Sequence, residues 1–218
     1  MKKIVFFIII SFFYSCGKDK VIQLPEIQHA NISKIDDVSA AYLFFDETKM
    51  DSVDLNRKNI ISSTNWLINV DKRFTLKQVI PHIKFLQDKK EGSSHKKENT
   101  KNYFTCNDLS RKNLGFIEFT DVVYHDEPGA DYFSKTANIP NKTQFNLTFI
   151  SSEDIKNFSI AHLKSDLKNV SYQQNETLEI ILHFHKNLTF QHYITIKSIV
   201  LNLDLKSVTI SNHEFIFN

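Results

Sequence analysis

Glycine and proline are scarce in this chain, with four of each in 218 residues, and there are two cysteines and one tryptophan. So few glycines and prolines argue against long flexible linkers. Sites that bring backbone close to phosphate or form an oxyanion hole tend to need glycine, so the scarcity also weighs against those chemistries. No nucleophile elbow, phosphate-cradling loop, dinucleotide fingerprint or paired-histidine protease helix occurs in the sequence. An excess of charge is missing too: 27 Lys and Arg stand against 25 Asp and Glu. No general attraction to nucleic acid follows from that balance, and no nucleic-acid partner is expected.

What is present is ample material for a core. Hydrophobic residues make up 41% of the chain and nineteen of them are phenylalanine. The most informative segment is the first sixteen residues, MKKIVFFIIISFFYSC. Lys2 and Lys3 form a positive start, Ile4 to Phe13 an unbroken apolar run, and Ser15-Cys16 a small residue before a cysteine. That order is a secretory signal. As a helix, Ile4 to Tyr14 would reach about 16 Å, half of a bilayer core, too short for a comfortable transmembrane span.

This stretch resembles a bacterial lipoprotein signal, which is cut before a cysteine whose thiol carries diacylglycerol. Ser15 fits the small position before the cysteine, whereas Phe13 and Tyr14 are bulkier than the family's usual residues. The resemblance implies a signal peptide over 1–15, lipidation of Cys16, and attachment to a membrane through that lipid. Two or three acyl chains hold a protein on a bilayer durably, where one does so only marginally. Residue 17 is Gly rather than Asp, unlike the inner-membrane retention signal of some lipoproteins, so the expected address is the outer membrane. Removing the signal takes Lys2 and Lys3 with it and leaves 25 basic residues against 25 acidic ones. With Cys16 lipidated, Cys106 is the sole remaining thiol and no intramolecular disulfide can form. Cys106 lies in the strand-like NYFTCND and reads as a small buried hydrophobe.

Residues 16–24 read as a tether, 25–127 as a mixed α/β region and 128–218 as an antiparallel, β-sandwich-like region, an α+β chain overall. In the first region, Val38 to Phe45 and Trp66 to Val70 read as strands and 52–62 as a short helix. FTLKQVIPHIKFLQDKK reads as an amphipathic helix with Leu76, Val79, Ile80, Ile83 and Leu86 on one face. Thr75 and Gln78 have capping-box spacing at its start, and Pro81 predicts a kink or a helix that begins later. The passage WLINVDKRFTLKQVIPHIKFLQ also resembles the periplasmic domain of TonB-system biopolymer transporters. That family has a true transmembrane helix bearing an acid, which Ile4 to Tyr14 lacks. In the second region NFSIAHL, ETLEIILHFH, LTFQHYITIK, SIVLNLDL and SVTIS read as short strands between turns. No repeat of fixed period is visible.

Among residues that could carry chemistry, His183 and His185 share one strand face. A two-residue hairpin at Lys186-Asn187 would add His192 to it, and three imidazoles on a face can hold zinc or copper. HDEPGAD places His125, Asp126, Glu127 and Asp131 in one loop, and DETKMDSVD gathers Asp46, Glu47, Asp51 and Asp54; neither has the ligand spacing of an EF-hand. Asp51-Ser52-Val53 resembles an O-glycosylation triplet of some envelope proteins. Seven Asn-x-Ser/Thr triplets, from Asn31 to Asn187, follow from an Asn-rich composition in a chain that reads as bacterial. Lys84 to Lys101 holds six lysines against three acids, the balance of a solvated loop. Tyr132, Tyr172 and Tyr193 would be the stacking platform if the chain bound carbohydrate. The leading expectation is a non-enzymatic envelope lipoprotein that needs no cofactor and serves as a binding or structural component, with another envelope protein as its partner; a metal-dependent surface enzyme using the three histidines, or a carbohydrate-binding module, is the alternative.

Overall fold

The computed structural model describes residues 20–95, 97–127, 129, 142–169, 177–203 and 208–218. Its strands form two sheets. In the first, β2 (Val38–Phe45) pairs antiparallel with β3 (Val53–Asn56) and parallel with β4 (Asn65–Val70). Helix α1 (Leu76–Glu91) then crosses to β5 (Asn102–Asp108), which runs parallel to β4. The hairpin partner β6 (Asn113–Glu118) takes one edge of β5. The two-residue β1 (Glu26–Ile27) pairs parallel with Asn107 and Asp108 at the end of β5.

The second sheet contains only parallel neighbours, in the order β7-β10-β9-β8. Its strands are β7 (Val123–His125), β8 (Lys142–Phe149), β9 (Thr177–His185) and β10 (Val208–Phe217). Helices α2 (Ser152–Asn157) and α3 (Ile160–Asn169) connect β8 to β9, and α4 (Phe190–Leu201) connects β9 to β10. The expected antiparallel sandwich is therefore corrected to an α/β arrangement. The reason lies in two segments read as strands. NFSIAHL enters α3 and LTFQHYITIK enters α4, and in α4 the β-branched and aromatic residues are held helical by burial. Phe190, Tyr193, Ile194, Ile196 and Val200 are all buried, so packing on both sides of α4 overrides intrinsic preference. SIVLNLDL, also read as a strand, begins inside α4, whose last residue is Leu201. The short helix expected at 52–62 is replaced by β3 and turns.

Strand, connection, strand, helix, strand occurs twice: β2-β4-α1-β5 and β8-β9-α4-β10, each with its three strands parallel and adjacent in chain order. A hairpin strand occupies the first connection and two helices the second, which puts the halves out of step and hides the repeat from a search at fixed period. The two helices begin alike. Thr75 caps α1 with Gln78, whose Oε1 accepts from the Thr75 N–H at 2.9 Å. Thr189 caps α4, its Oγ1 accepting from the His192 N–H at 3.3 Å. Pro81 lies inside α1, which runs through it for ten further residues to Glu91.

These two helix starts meet. Thr75 and Thr189 form an antiparallel bridge. The Leu76 N–H donates to the Leu188 carbonyl at 2.9 Å and the Phe190 N–H to the Phe74 carbonyl at 2.6 Å. Lys77 donates to Lys186 and Gln191 to Lys72, at 2.8 and 3.2 Å. Around this joint an aromatic series crosses from one half to the other. Phe104 of β5 stacks on Phe119 and meets Phe190 and Tyr193 edge-on, and Tyr193 meets Phe184 of β9. The buried residues of both sheets form one hydrophobic cluster.

An N-terminal strap leads to the joint. Asp71, wholly buried, accepts from the Gln23 N–H at 3.1 Å and from both Nε and an Nη of Arg73 at 2.8 and 2.9 Å. Arg73 lies over the Phe45 ring at 4.5 Å. The strap then reaches Glu26, whose N–H and C=O are both engaged by the side-chain amide of Gln191 at 2.8 and 2.9 Å.

Because Phe104 touches aromatics of both halves, Phe104→Ala is expected to cost about 3–5 kcal/mol. Trp66, 1% exposed in the first half, reports unfolding there. Trp66 fluorescence and far-UV circular dichroism should follow one coincident urea transition in the parent chain. Two separated transitions would contradict a shared core.

Candidate functional site

Cross-strand register builds a ladder of rings on the second sheet. Phe215 of β10 lies opposite His125 of β7 and opposite His183 of β9. Phe215 stacks between them at centroid distances of 4.8 and 4.9 Å. His213, two residues earlier on the same face, reaches His125: its Nδ1 lies 2.8 Å from His125 Nε2. One imidazole of that pair donates and the other accepts, so the contact requires at least one neutral ring. His183 Nε2 lies 2.9 Å from Asn146 Oδ1 on β8. Gly129 packs so closely on the His183 ring that a Cβ there would sit 2.3 Å from Cε1. Burial lowers the pKa of His183, and burial followed by repulsion from His213 lowers that of His125.

The expected trio of His183, His185 and His192 is only partly assembled. His185 is on the same face of β9 as His183, edge-on to Phe217, and its Nδ1 accepts from the Asn187 N–H at 3.3 Å. His192 is elsewhere. Lys186-Asn187 leads into α4 rather than a hairpin, and His192 lies in the first turn of that helix, where its Nδ1 accepts from the Thr189 N–H at 3.3 Å. Helix α4 covers the opposite side of the sheet, the side of Phe184. Burial, then Lys156, lowers the His192 pKa. Among the described residues, no group of three or more His, Cys, Asp or Glu is arranged to hold a metal ion.

Other readings are redistributed by the fold. His125 joins the ring ladder, Asp126 pairs with Lys84 at 3.1 Å, and Asp131 lies outside the described residues. Three carboxylates of the acidic DETKMDSVD segment find partners within the chain. Lys20 bonds Asp46 and Asp54, and His82 Nε2 meets Asp51 Oδ2 at 2.9 Å. A hydrogen bond from Thr48, then Lys20, brings the Asp46 pKa down to about 2. The solvated loop expected over Lys84 to Lys101 is corrected in its first part, since Lys84 to Glu91 end α1; Lys90 there is buried and donates to the Lys101 carbonyl and to Asn102 Oδ1, both at 2.9 Å, while Lys101 pairs with Glu118. Cys106 is buried, and burial pushes its thiol pKa far up, the setting of an inert cysteine. Tyr193 is wholly buried and so is withdrawn as a stacking platform; Tyr132, Tyr172 and Cys16 lie outside the described residues.

Two features went unread in the sequence. The first is a polar chain beneath α4. Lys197 and Glu214 form a buried ion pair; Tyr193 donates to Glu214 Oε2 at 2.7 Å, and Tyr124 meets the Tyr193 hydroxyl at 3.1 Å. A bulge in β10 aims Glu214 there, since Ser211–His213 intervene between the residues paired with Ile180 and Leu182. A charge in each of the apolar runs ITIKSIV and HEFIFN was the available signal. The second is a groove between β1 and α4, holding adjoining cavities of about 550 and 240 Å³ that share Ile27, Ser198 and Asn202. Comparison with protein-family models, with curated proteins and with solved structures finds no match to this chain.

Lys197→Met, which leaves Glu214 charged and buried, is expected to cost about 3–5 kcal/mol, and Lys197→Met with Glu214→Gln to restore much of it. Urea midpoints of the three proteins measure both. The histidines predict a pH response of fixed sign. His125, His183 and His192 have folded-state pKa values below the ordinary 6.5, so the unfolded chain binds more protons. Stability should therefore fall as pH drops from about 6.5 through those folded values, and His183→Gln should flatten the slope of the urea midpoint between pH 8 and pH 5. An unchanged slope would remove His183 from the response.

Proposed function

We propose that this chain is a lipid-anchored envelope protein, fastened through Cys16 to the outer membrane, whose folded body binds another envelope component without catalysing a reaction. The observation that carries the reading is the N-terminal order of Lys2-Lys3, an apolar run too short to span a bilayer, and Ser15-Cys16. No helix among the described residues is long and apolar enough to cross a membrane, so a membrane address for this body would come from the lipid. A groove lined mainly by apolar and uncharged polar side chains, with Glu26 and Glu118 paired to lysines, is compatible with a binding role. The polar clusters described above resolve into internal ion pairs, caps and ring stacks, which supports a structural use of those side chains.

Mass spectrometry of the native protein is expected to show a chain that begins at Cys16 and carries the mass of diacylglycerol on its sulfur. Cys16→Ser should shift the protein from the membrane pellet to the soluble fraction. An unprocessed chain in the cytosol, beginning at Met1 with an unmodified Cys16, would overturn the anchor.

A further inference from the structure

The groove has a definite chemistry. One wall is the outer face of α4, where Gln191, Thr195, Ser198 and Asn202 present amide and hydroxyl groups and Ile199 an apolar side chain. The other wall is β1 and the residues after it. Leu109 and Ile160, 47% and 37% exposed, close the first cavity, and Leu201, 40% exposed, borders the second. Large apolar side chains left this open around one concavity mark a contact surface.

Its charge is cancelled at the rim. The Glu26 carboxylate is held by Lys72 at 2.6 Å and that of Glu118 by Lys101 at 2.9 Å. Apart from these two, His29 is the one titratable side chain among the described lining residues. A groove whose carboxylates are already paired favours an uncharged occupant, because a charged one would lose hydration and have to compete with an existing ion pair for its counter-charge.

Main-chain groups are also available. Gln191 satisfies both the N–H and the C=O of Glu26, acting as a side-chain substitute for a neighbouring strand. Gln28 lines the same cavity, and its own N–H and C=O make no hydrogen bond among the described residues. From Gln191 to Asn202 the wall runs about 16 Å at 1.5 Å per helical residue. That is the length of about five residues of extended chain.

We propose that this groove binds an extended peptide segment with uncharged side chains, pairing through the peptide main chain with Gln28 and seating its apolar side chains against Leu109, Ile160 and Ile199. The Thr195 and Ser198 hydroxyls already donate to the Gln191 and Thr195 carbonyls within α4, but a hydrocarbon chain fits the lining less well, since it would cover the Gln28 main chain and the side-chain amides of Gln28 and Asn202 without returning a hydrogen bond. Strand addition to an open edge uses the same division of labour, with main chain for affinity and side-chain pockets for choice. The inference gives a partner chemistry to the binding role proposed above and rests on that reading for its biological setting.

The test uses the full chain in detergent micelles and a fluorescein-labelled hexapeptide of alternating valine and threonine, blocked at both ends. Fluorescence anisotropy is expected to show saturable binding, weakened at least tenfold by Ile160→Glu or Leu109→Glu. Both positions are partly exposed, and circular dichroism should show these variants folded. Peptides N-methylated at the central amides, or with aspartate for threonine, should bind at least tenfold more weakly. No saturable binding to the parent chain, equal binding by the folded variants, or equal binding of the N-methylated peptide would overturn the proposal. Full displacement of the peptide by decanoate at concentrations below its micelle point would assign the groove to acyl chains instead. Repeating the titration with Cys16→Ser separates the two proposals: a failed anchor leaves peptide binding intact, and a failed groove leaves the lipid on Cys16.

Discussion

An α-helix begins with N–H groups that have no partner within it, and burying such an end without partners is costly. Here two helices begin at the same buried place. Phe74, Leu76, Leu188 and Phe190 are all shielded from water there. Each helix start answers the other's requirement: the first N–H groups of α1 donate to carbonyls before α4, and those of α4 to carbonyls before α1. The arrangement is locally two-fold around Thr75 and Thr189. It joins the mixed first sheet to the all-parallel second one, and accounts for the path of Phe104, Phe190 and Tyr193 between them.

The position of α4 follows from that joint and explains the polar features around it. One side of α4 packs on the second sheet, burying Tyr193 and Lys197 over Glu214. Its first turn reaches the N-terminal strap through Gln191, and its remaining outer face becomes a groove wall. A single helix thus carries core, buried ion pair and groove on different faces. Such a helix is apolar around most of its circumference, the pattern of one buried on several sides.

Much of the first half was legible from local pattern. Val38–Phe45, Asn65–Val70 and α1 with its Thr75-Gln78 start follow from periodicity and capping, and the fold keeps them. The second half misled for a physical reason. In LTFQHYITIK the β-branched and aromatic residues that favour strands in isolation are those that α4 buries against two layers, and the Thr189–His192 cap lacks the Glu or Gln that usually announces a helix start. The ring ladder shows a related limit. His183 and His185 were placed on one face by strand alternation alone, yet His125 and His213 come from strands whose pairing no local pattern specifies.

By itself the amino-acid order determined the near balance of charge, the supply of apolar residues for a core, and the local starts of strands and of α1. Each depends on composition or on neighbouring residues only. The tertiary structure alone decided that the strands of the second half run parallel, that His192 caps a helix instead of joining His183, that Lys197 finds Glu214, and that β1 and α4 leave a groove between them. Those outcomes rest on which distant segments share buried surface, and burial energy is a property of the whole packed chain, so no short window of sequence contains it.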